Sequence, residues 1–274
     1  MHDEIAAAFD AWIADVCPPD VVRAIDGGGS SATLWRQIES SGYLDALVPE
    51  AHGGAGLALA AVQPLMQACG AHAVPVPLVE TMVARAELAR AGRAVADGPL
   101  VLAELDETTL PAAERATWIA AITSALIAGA AQRVLDLTTT YAQQRVQFGR
   151  PIGSFQAIQH RLAVMAEQTC AARMAAQLAF ASTAPRPDRV LAAMAKCVAG
   201  EAAAIVAAGG HAVHGAIGIT AACDLQLSTR RLLAWRTQGG SPSHWAREVG
   251  TAWWRSGATR ALDFALARLD VAQG

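Results

Sequence analysis

The side chains with the clearest chemical potential lie close together in one stretch, YAQQRVQFGRPIGSFQAIQHRLA, residues 141–163. A Gly-Arg-Pro-Ile-Gly turn interrupts two helical patterns there. Arg145 precedes the turn, and a guanidinium at that place could bind an anion such as a phosphate. Phe148 and Gln156 flank the turn, so that the ring could pack on a planar group and the amide could hydrogen-bond its edge.

A purely structural role accounts for Arg145 equally well. The pattern predicts that Arg145 lies in the last turn of a helix that ends at Phe148, with Gly149 as the residue after the helix. A cation there interacts favourably with the partial negative charge at a helix C-terminus. Spacing alone leaves both interpretations open.

Four other residues could serve as acids or bases: Glu201, His214, Asp224 and His244. Asp224 is placed to cap a helix or to lie on the surface, and Glu201 to pair with Lys196 about one turn away. His214 abuts a glycine-rich segment, where both a structural and a chemical role are open. The residues by themselves indicate no convincing catalytic base.

Composition narrows the possible functions. Of the 274 residues, 53% are hydrophobic and 16% are charged, which favours burial of surface against other subunits. A net charge of −3 provides no basic field that would hold nucleic acid. The longest uncharged run, residues 116–132, is typical of a buried core helix rather than a membrane span. Scattered cysteines and an acidic N-terminus predict a cytoplasmic protein without disulfides or a zinc site.

The elements that must position these residues are almost all helical, so the predicted fold class is all-α. Short helices between Gly and Pro breakers predict an N-terminal helical domain over residues 1–91. Residues 92–111 predict a short linker, in which PLVLAELDE is the only strand-like stretch. Long Ala-rich helical tracts, including one continuous tract from 244 to 272, then predict an antiparallel helical bundle over residues 112–274.

Several of these segments resemble the acyl-CoA dehydrogenase family. Residues 141–165 are similar to the part of its C-terminal helical domain that carries a tyrosine, an arginine, Phe-Gly and then a Phe/His-Gln pair. LWRQIESSGYLDALVPEAHGGAGLAL and GAHAVPVPLVETMV resemble its N-terminal helical domain, and HAVHGAIGITAACDLQLSTRR resembles its Gly-Gly-x-Gly segment. The chain looks like a shortened member that lacks the family's middle β domain.

The resemblance implies a chemistry and a set of contacts. Family members bind FAD and dehydrogenate acyl-CoA thioesters between the α and β carbons, with a glutamate that removes the α proton. The matching positions put Arg145 at the FAD pyrophosphate, Gln147 and Phe148 at the dinucleotide, and Gln156 near its adenine. Gly215 is the first glycine of the Gly-Gly-x-Gly segment. In family homodimers these contacts cross the subunit interface.

The chain departs from the family pattern where catalysis would occur. The β domain that holds the flavin ring is missing. Gly239 and Ile119 stand at the two positions where members carry the glutamate, and the adjacent Gln238 cannot accept a proton at neutral pH. Ala212 replaces a glutamine, and Ala216 replaces the second glycine of the segment.

The sequence therefore predicts a non-catalytic small subunit that shares FAD at the interface with a full-length acyl-CoA dehydrogenase-like partner, in an α2β2 assembly. The expected substrate is an acyl-CoA that could be bulky or steroid-derived, and neither nucleic acid nor a membrane is an expected partner. Two alternatives stay open. One is a stand-alone enzyme of non-oxidative acyl-CoA chemistry that uses His214 or Asp224, and the other is a structural module without a cofactor.

Overall fold

A computed structural model describes residues 2–95 and 97–273 of the chain. Within these ranges the protein consists of eleven α-helices, short 3-10 turns and one hairpin of two-residue strands. The predicted all-α fold class is confirmed. The predicted division into domains at residues 91 and 111 stays a prediction.

The N-terminal part is built from five helices: α1 (His2–Val16), α2 (Pro19–Asp26), α3 (Ala32–Ser40), α4 (Leu59–Ala71) and α5 (Leu78–Arg90). Apolar residues at helical spacing on α1 and α3, such as Phe9, Ile13 and Ile38, are fully buried. The Phe9 ring packs edge-on against Tyr43, at 4.7 Å between ring centroids. The 3-10 turns at Tyr43–Asp45 and Glu50–His52 let the chain reverse between α3 and α4.

The C-terminal part is a helical bundle of six helices: α6 (Ala112–Gln144), α7 (Gln156–Ala179), α8 (Arg189–His214), α9 (Leu225–Thr237), α10 (Pro242–Ser256) and α11 (Ala261–Gln273). The three longest, α6, α7 and α8, pack against one another, and α9 and α10 lie against α8. Their contact faces are mostly alanine, which lets the helix axes approach closely.

The two parts meet where α4 crosses α6. A Cβ atom on Gly129 would lie 1.8 Å from the carbonyl oxygen of Gln67, and one on Gly70 would lie 2.1 Å from that of Leu126. Such distances are far below van der Waals contact, so the two backbones touch only because both positions are glycine. The N-terminal helices are therefore packed tightly onto the bundle.

A buried ionic cluster reinforces this junction. The carboxylate of Glu87 on α5 is fully buried and bonds to Arg90 at 2.8 Å and to Nε of Arg186 at 3.0 Å. The indole Nε1 of Trp118 on α6 donates to the same carboxylate at 3.2 Å. Hydrogen bonds to Glu87 raise the pKa of Arg186. The cluster ties α5, α6 and the loop before α8 together.

The linker differs from the prediction. PLVLAELDE contains a 3-10 turn, Leu102–Glu104, and no strand within its described residues. Polar side chains of α5 satisfy its backbone in place of a neighbouring strand, since Leu100 N donates to Thr81 Oγ1 at 2.9 Å and Leu102 N to Glu80 at 3.0 Å. The strand prediction is wrong because no other extended segment lies beside this one.

The last helical tract is also corrected. The tract predicted from 244 to 272 is two helices, because the chain turns at Gly257, which has a φ of +70°. Helix α9 begins directly after Asp224, the residue that the sequence placed at a helix start or on the surface. The bundle therefore has shorter elements at its C-terminal end than the sequence indicated.

Two helical segments are long and apolar enough to cross a membrane by length and composition, Ala112–Gln144 and Arg189–Ile219. In their most apolar windows, 72% and 61% of the residues are buried inside the bundle. This burial is the property expected of core helices, and residues 116–132 lie within the first of them.

Candidate functional site

Arg145 starts a β-hairpin and does not lie inside a helix. Helix α6 ends at Gln144, and Arg145 is its C-cap residue, with φ −73° and ψ 116°. Strand β1 (Val146–Gln147) then pairs antiparallel with β2 (Arg150–Pro151). The predicted helix end at Phe148, with Gly149 after it, is wrong because the chain leaves the helix early and reverses. Phe148 and Gly149 have φ values of +52° and +79°, which fit the two central residues of a type I′ hairpin turn.

Phe148 has a backbone conformation that is unfavourable for any residue other than glycine. A left-handed backbone conformation costs a non-glycine residue about 1–2 kcal/mol. Its side chain is also 90% exposed, although one ring edge packs on Phe155 with 6.0 Å between centroids. Such strain in an exposed aromatic is typical of a residue that contacts a ligand or a partner.

The hairpin presents polar side chains on one of its faces. Arg145 and Gln147 are two residues apart on an extended segment, so they project to the same side. Both side chains are exposed, and no carboxylate of the described residues pairs with Arg145. Gln156, the first residue of α7, is exposed just beyond the hairpin. The structure thus brings Arg145, Gln147, Phe148 and Gln156 to one surface.

A stack of two rings brings Gly215 to this same end of the bundle. Tyr141, in the last turn of α6, stacks on His214 at the end of α8 with 4.4 Å between centroids and 20° between planes. Gly215 follows His214 with φ +63° and ψ −145°, a conformation almost restricted to glycine. Ala216 is exposed, so an alanine is accommodated where the family pattern has its second glycine.

His214 is a structural residue in this arrangement. Its ring is almost fully buried, and Nδ1 lies 2.9 Å from the carbonyl oxygen of Gly210, to which it can donate. Burial lowers the pKa of the imidazole, which favours its neutral form. A buried ring stacked on Tyr141 is poorly placed to exchange protons with a substrate.

The other candidate acids and bases also have structural surroundings. Asp224 precedes α9 but makes no capping hydrogen bond with its side chain, and it pairs with Arg23 of α2 instead. Glu201 is exposed, and the pair predicted between it and Lys196 does not form. His244 lies on the surface at the start of α10. None of them faces an enclosed site.

The two positions where a catalytic glutamate was sought lie in contact with each other. A Cβ atom added to Gly239 would lie 2.4 Å from Cγ2 of Ile119. The Gly239 backbone has a φ of +70°, and its carbonyl oxygen accepts a hydrogen bond from Trp245 Nε1 at 3.1 Å. The isoleucine side chain therefore occupies the space into which a side chain at position 239 would grow.

A small cleft adjoins this contact, and it contains a carboxylate that the sequence did not indicate. Its volume is about 90 Å³, against about 300–1,000 Å³ for typical ligand pockets. Glu80 lines it, with one oxygen bonded to Leu102 N at 3.0 Å and the other 3.4 Å from Gln238 Nε2. Since both oxygens are engaged, Glu80 holds the linker and the turn before α10. In the sequence, Glu80 ends the segment PVPLVE, and no motif there indicates that its carboxylate bonds the linker and Gln238.

Lys196 lies behind the same cleft. Its side chain is fully buried, and Nζ donates to Thr123 Oγ1 at 2.8 Å and to the carbonyl oxygen of Trp235. Desolvation lowers the pKa of the amine to about 7. Trp235 belongs to the last turn of α9, so the amine satisfies a carbonyl that the helix leaves without a partner. Lys196 thereby fixes the end of α9 and the turn that carries Gly239.

Across residues 2–95 and 97–273, no three His, Cys, Asp or Glu side chains are grouped to hold a metal ion.

Comparison with known proteins gives consistent matches along the chain. The family model of the acyl-CoA dehydrogenase N-terminal domain matches residues 1–96, and that of the C-terminal domain matches residues 111–248. Acyl-CoA dehydrogenase IpdE2 of Mycobacterium tuberculosis is 32% identical over 298 aligned residues, which cover 87% of this chain and 92% of that protein.

Two solved structures have the same fold. The ChsE4-ChsE5 complex from Mycobacterium tuberculosis contains a chain that superposes with a TM-score of 0.81 at 19% identity, covering 94% of this chain and 98% of that one. A Tcur3481-Tcur3483 steroid ACAD G363A variant gives a TM-score of 0.79 at 21% identity, covering 94% and 100%. At these identities the likeness shows the fold alone.

Proposed function

Because the chain belongs to the acyl-CoA dehydrogenase family, we propose that it is a non-catalytic small subunit of a heteromeric FAD-dependent acyl-CoA dehydrogenase. In this proposal its hairpin end completes the FAD site of a full-length partner, which supplies the β domain and the catalytic glutamate. When bound, FAD accepts the hydride that leaves the β carbon of the acyl-CoA.

The observation that carries the proposal is the exposed hairpin. Arg145 has no carboxylate partner among the described residues, and Phe148 keeps a strained backbone while its ring faces solvent. An unpaired guanidinium, the amide of Gln147 and an aromatic face fit a molecule that combines phosphates with planar rings. These are the groups of FAD, and they lie at the end of the bundle where the family pattern puts the dinucleotide.

The filled base site supports the non-catalytic part of the proposal. α-Proton abstraction requires a carboxylate within hydrogen-bond reach of the carbon acid. Ile119 and Gly239 offer none, and Glu80 is engaged by Leu102 and Gln238. The linker forms no strand within its described residues, so in this proposal the β domain of the partner holds the flavin ring.

Two similar proteins support the assembly and the substrate class. The ChsE4-ChsE5 structure is a complex of two different chains, and the Tcur3481-Tcur3483 protein is described as a steroid ACAD. We extend both features to this chain: a full-length partner in an α2β2 assembly, and an acyl-CoA substrate with a bulky, steroid-derived acyl group.

The test compares flavin content and flavin affinity. The chain is purified alone and co-expressed with the product of its neighbouring gene, and absorbance at 450 nm is recorded for both products. We expect flavin only in the complex, and Arg145→Ala should weaken its FAD binding by about 10- to 100-fold, the value of one charge-assisted hydrogen bond. Arg161→Ala is the matched control, because Arg161 is an exposed arginine on α7 outside the hairpin.

The outcomes separate the competing functions. Stoichiometric flavin on the lone chain would contradict the argument from the missing β domain. A complex that keeps its full FAD affinity after Arg145→Ala would favour a structural module. An acyl-CoA bound by the colourless lone chain would favour non-oxidative chemistry.

A further inference from the structure

Arg150 is a second cation of the hairpin for which the family resemblance gives no role. It stands at the start of β2, and its guanidinium lies over the ring of Phe155 at 4.3 Å from the centroid. Among the described residues, no carboxylate pairs with it. An exposed arginine normally samples many rotamers, so stacking on an aromatic ring restricts Arg150 to few of them.

The strand register sets the direction in which Arg150 projects. Gln147 and Arg150 are directly opposite each other in the antiparallel pair. Residues in that relation project from the same face of the two strands. Arg145 lies two residues before Gln147, and its carbonyl oxygen accepts from Ile152 N at 2.8 Å, which continues the pairing by one residue. Arg145, Gln147 and Arg150 therefore share a face.

The chain segment that carries this face contains no acidic residue. Residues 137–166 include no aspartate or glutamate, and the hairpin itself carries the arginines 145 and 150. Phe155 is also the N-cap residue of the 24-residue helix α7, and it offers no side-chain oxygen to the first amides of that helix. The partial positive charge of a helix N-terminus thus adds to the two guanidiniums.

We infer that Arg150 is a second anion-binding residue of the hairpin, held in place by Phe155, and that it contacts a phosphate oxygen of FAD beside Arg145. The inference rests on the proposed function, since it takes FAD as the ligand of this face. Two guanidiniums on one face suit a diphosphate, whose two groups each carry negative charge.

Phe155 gives the inference its structural basis. One face of the ring supports the Arg150 guanidinium, and the edge of Phe148 packs against the same ring at 90° between planes. The half-buried ring of Phe155 therefore orients both the cation and the exposed aromatic of the hairpin. Replacing Phe155 should loosen Arg150 without removing its charge.

The experiment measures FAD and ADP affinities of the purified complex with the full-length partner, for wild type, Arg150→Ala, Phe155→Leu and the Arg161→Ala control. FAD affinity is read from the quenching of flavin fluorescence, and ADP and adenosine are titrated as competitors. We expect Arg150→Ala to weaken FAD and ADP by about 10-fold or more and to leave adenosine unchanged. Phe155→Leu should give a smaller loss of the same kind, and Arg161→Ala none.

Each outcome decides between the two proposals. If Arg145→Ala weakens FAD binding and Arg150→Ala does not, the proposed function stands and the inference about Arg150 is refuted. If neither substitution changes FAD affinity, the hairpin is not a cofactor surface and both fail. Equal losses for ADP and adenosine would refute the phosphate contact and indicate stacking of the base on Arg150. Light scattering of each complex shows whether a loss comes from dissociation of the subunits, which would also refute a direct contact.

Discussion

Restoring the catalytic acid at position 239 should damage the fold and should not create a working site. Gly239→Glu places a side chain on a backbone with φ +70°, which costs a non-glycine residue about 1–2 kcal/mol. Its Cβ would lie 2.4 Å from Cγ2 of Ile119, an overlap that costs about 1–3 kcal/mol to relieve by shifts in a packed region. The sum, about 2–5 kcal/mol, corresponds to a fall in Tm of about 5–20 °C for a chain of this size.

Gly257 provides the matched control for the backbone cost alone. It has the same φ of +70°, but no atom lies within 4 Å of a Cβ built there. Gly257→Glu should therefore cost only about 1–2 kcal/mol. The difference between the two variants measures the collision with Ile119.

Thermal unfolding followed by circular dichroism, with urea unfolding for the free energies, measures these effects. In the Ile119→Ala background the 2.4 Å contact with Cγ2 is removed and only the 3.2 Å contact with Cβ remains, so Gly239→Glu should cost little more than Gly257→Glu does. Equal destabilisation by Gly239→Glu and Gly257→Glu in the wild-type background would refute the argument that Ile119 fills the base site. Dehydrogenation of an acyl-CoA by the lone Gly239→Glu chain would refute the proposal that a partner's β domain is needed to hold the flavin ring.

Two further predictions concern buried charges. Because burial lowers the pKa of Lys196 to about 7, the unfolded chain binds one more proton between pH 7 and the ordinary lysine value of 10.5. Stability should therefore rise with pH across that window, by at most about 1.4 kcal/mol per pH unit, and Lys196→Met should abolish this rise in urea titrations at several pH values. Glu87→Ala leaves Trp118 Nε1 without its acceptor and Arg186 without its buried partner, and should cost about 3–5 kcal/mol in the same assay. Glu87→Gln keeps the shape and one acceptor but removes the charge, so it should also be destabilising, though less than Glu87→Ala. A Glu87→Gln variant as stable as the wild type would contradict a charge-based role.

The sequence indicates the location of the candidate site but not its local structure. The motif around Arg145 and Phe148 singles out residues that the structure exposes on the hairpin, yet helical propensity through Tyr-Ala-Gln-Gln extends the predicted helix too far. Two-residue hairpin turns are usually recognised in a sequence by Asn-Gly or Asp-Gly, and Phe148-Gly149 matches neither pattern. The hairpin is stabilised by the pairing of β1 with β2 and by the packing of Phe155 against Phe148 and Arg150. Local propensity does not encode these contacts.

Lys196 illustrates the same limit for charges. Spacing within α8 offered Glu201 as its partner, since residues about one turn apart lie on one side of a helix. The observed partners are Thr123 on α6 and the carbonyl oxygen of Trp235 on α9, which are 73 and 39 residues away in the sequence. Only the packing of three helices brings these groups together, so no local pattern could identify them.

The base position and the hairpin lie near opposite ends of α6 and have opposite physical character, and the contrast limits what the chain can do alone. At the base position Ile119 and Gly239 are in contact, so the interior is closed and stable without a ligand. At the hairpin, Phe148 exposes 90% of its side chain in a strained conformation beside two unpaired cations. Burying a phenylalanine ring is worth about 1.5–3 kcal/mol, and the lone chain obtains almost none of this. A partner that covers Phe148 would bury its ring, and the cofactor held by that partner would neutralise Arg145 and Arg150. Because both contributions arise at the hairpin, association of the subunits and flavin binding should be coupled there.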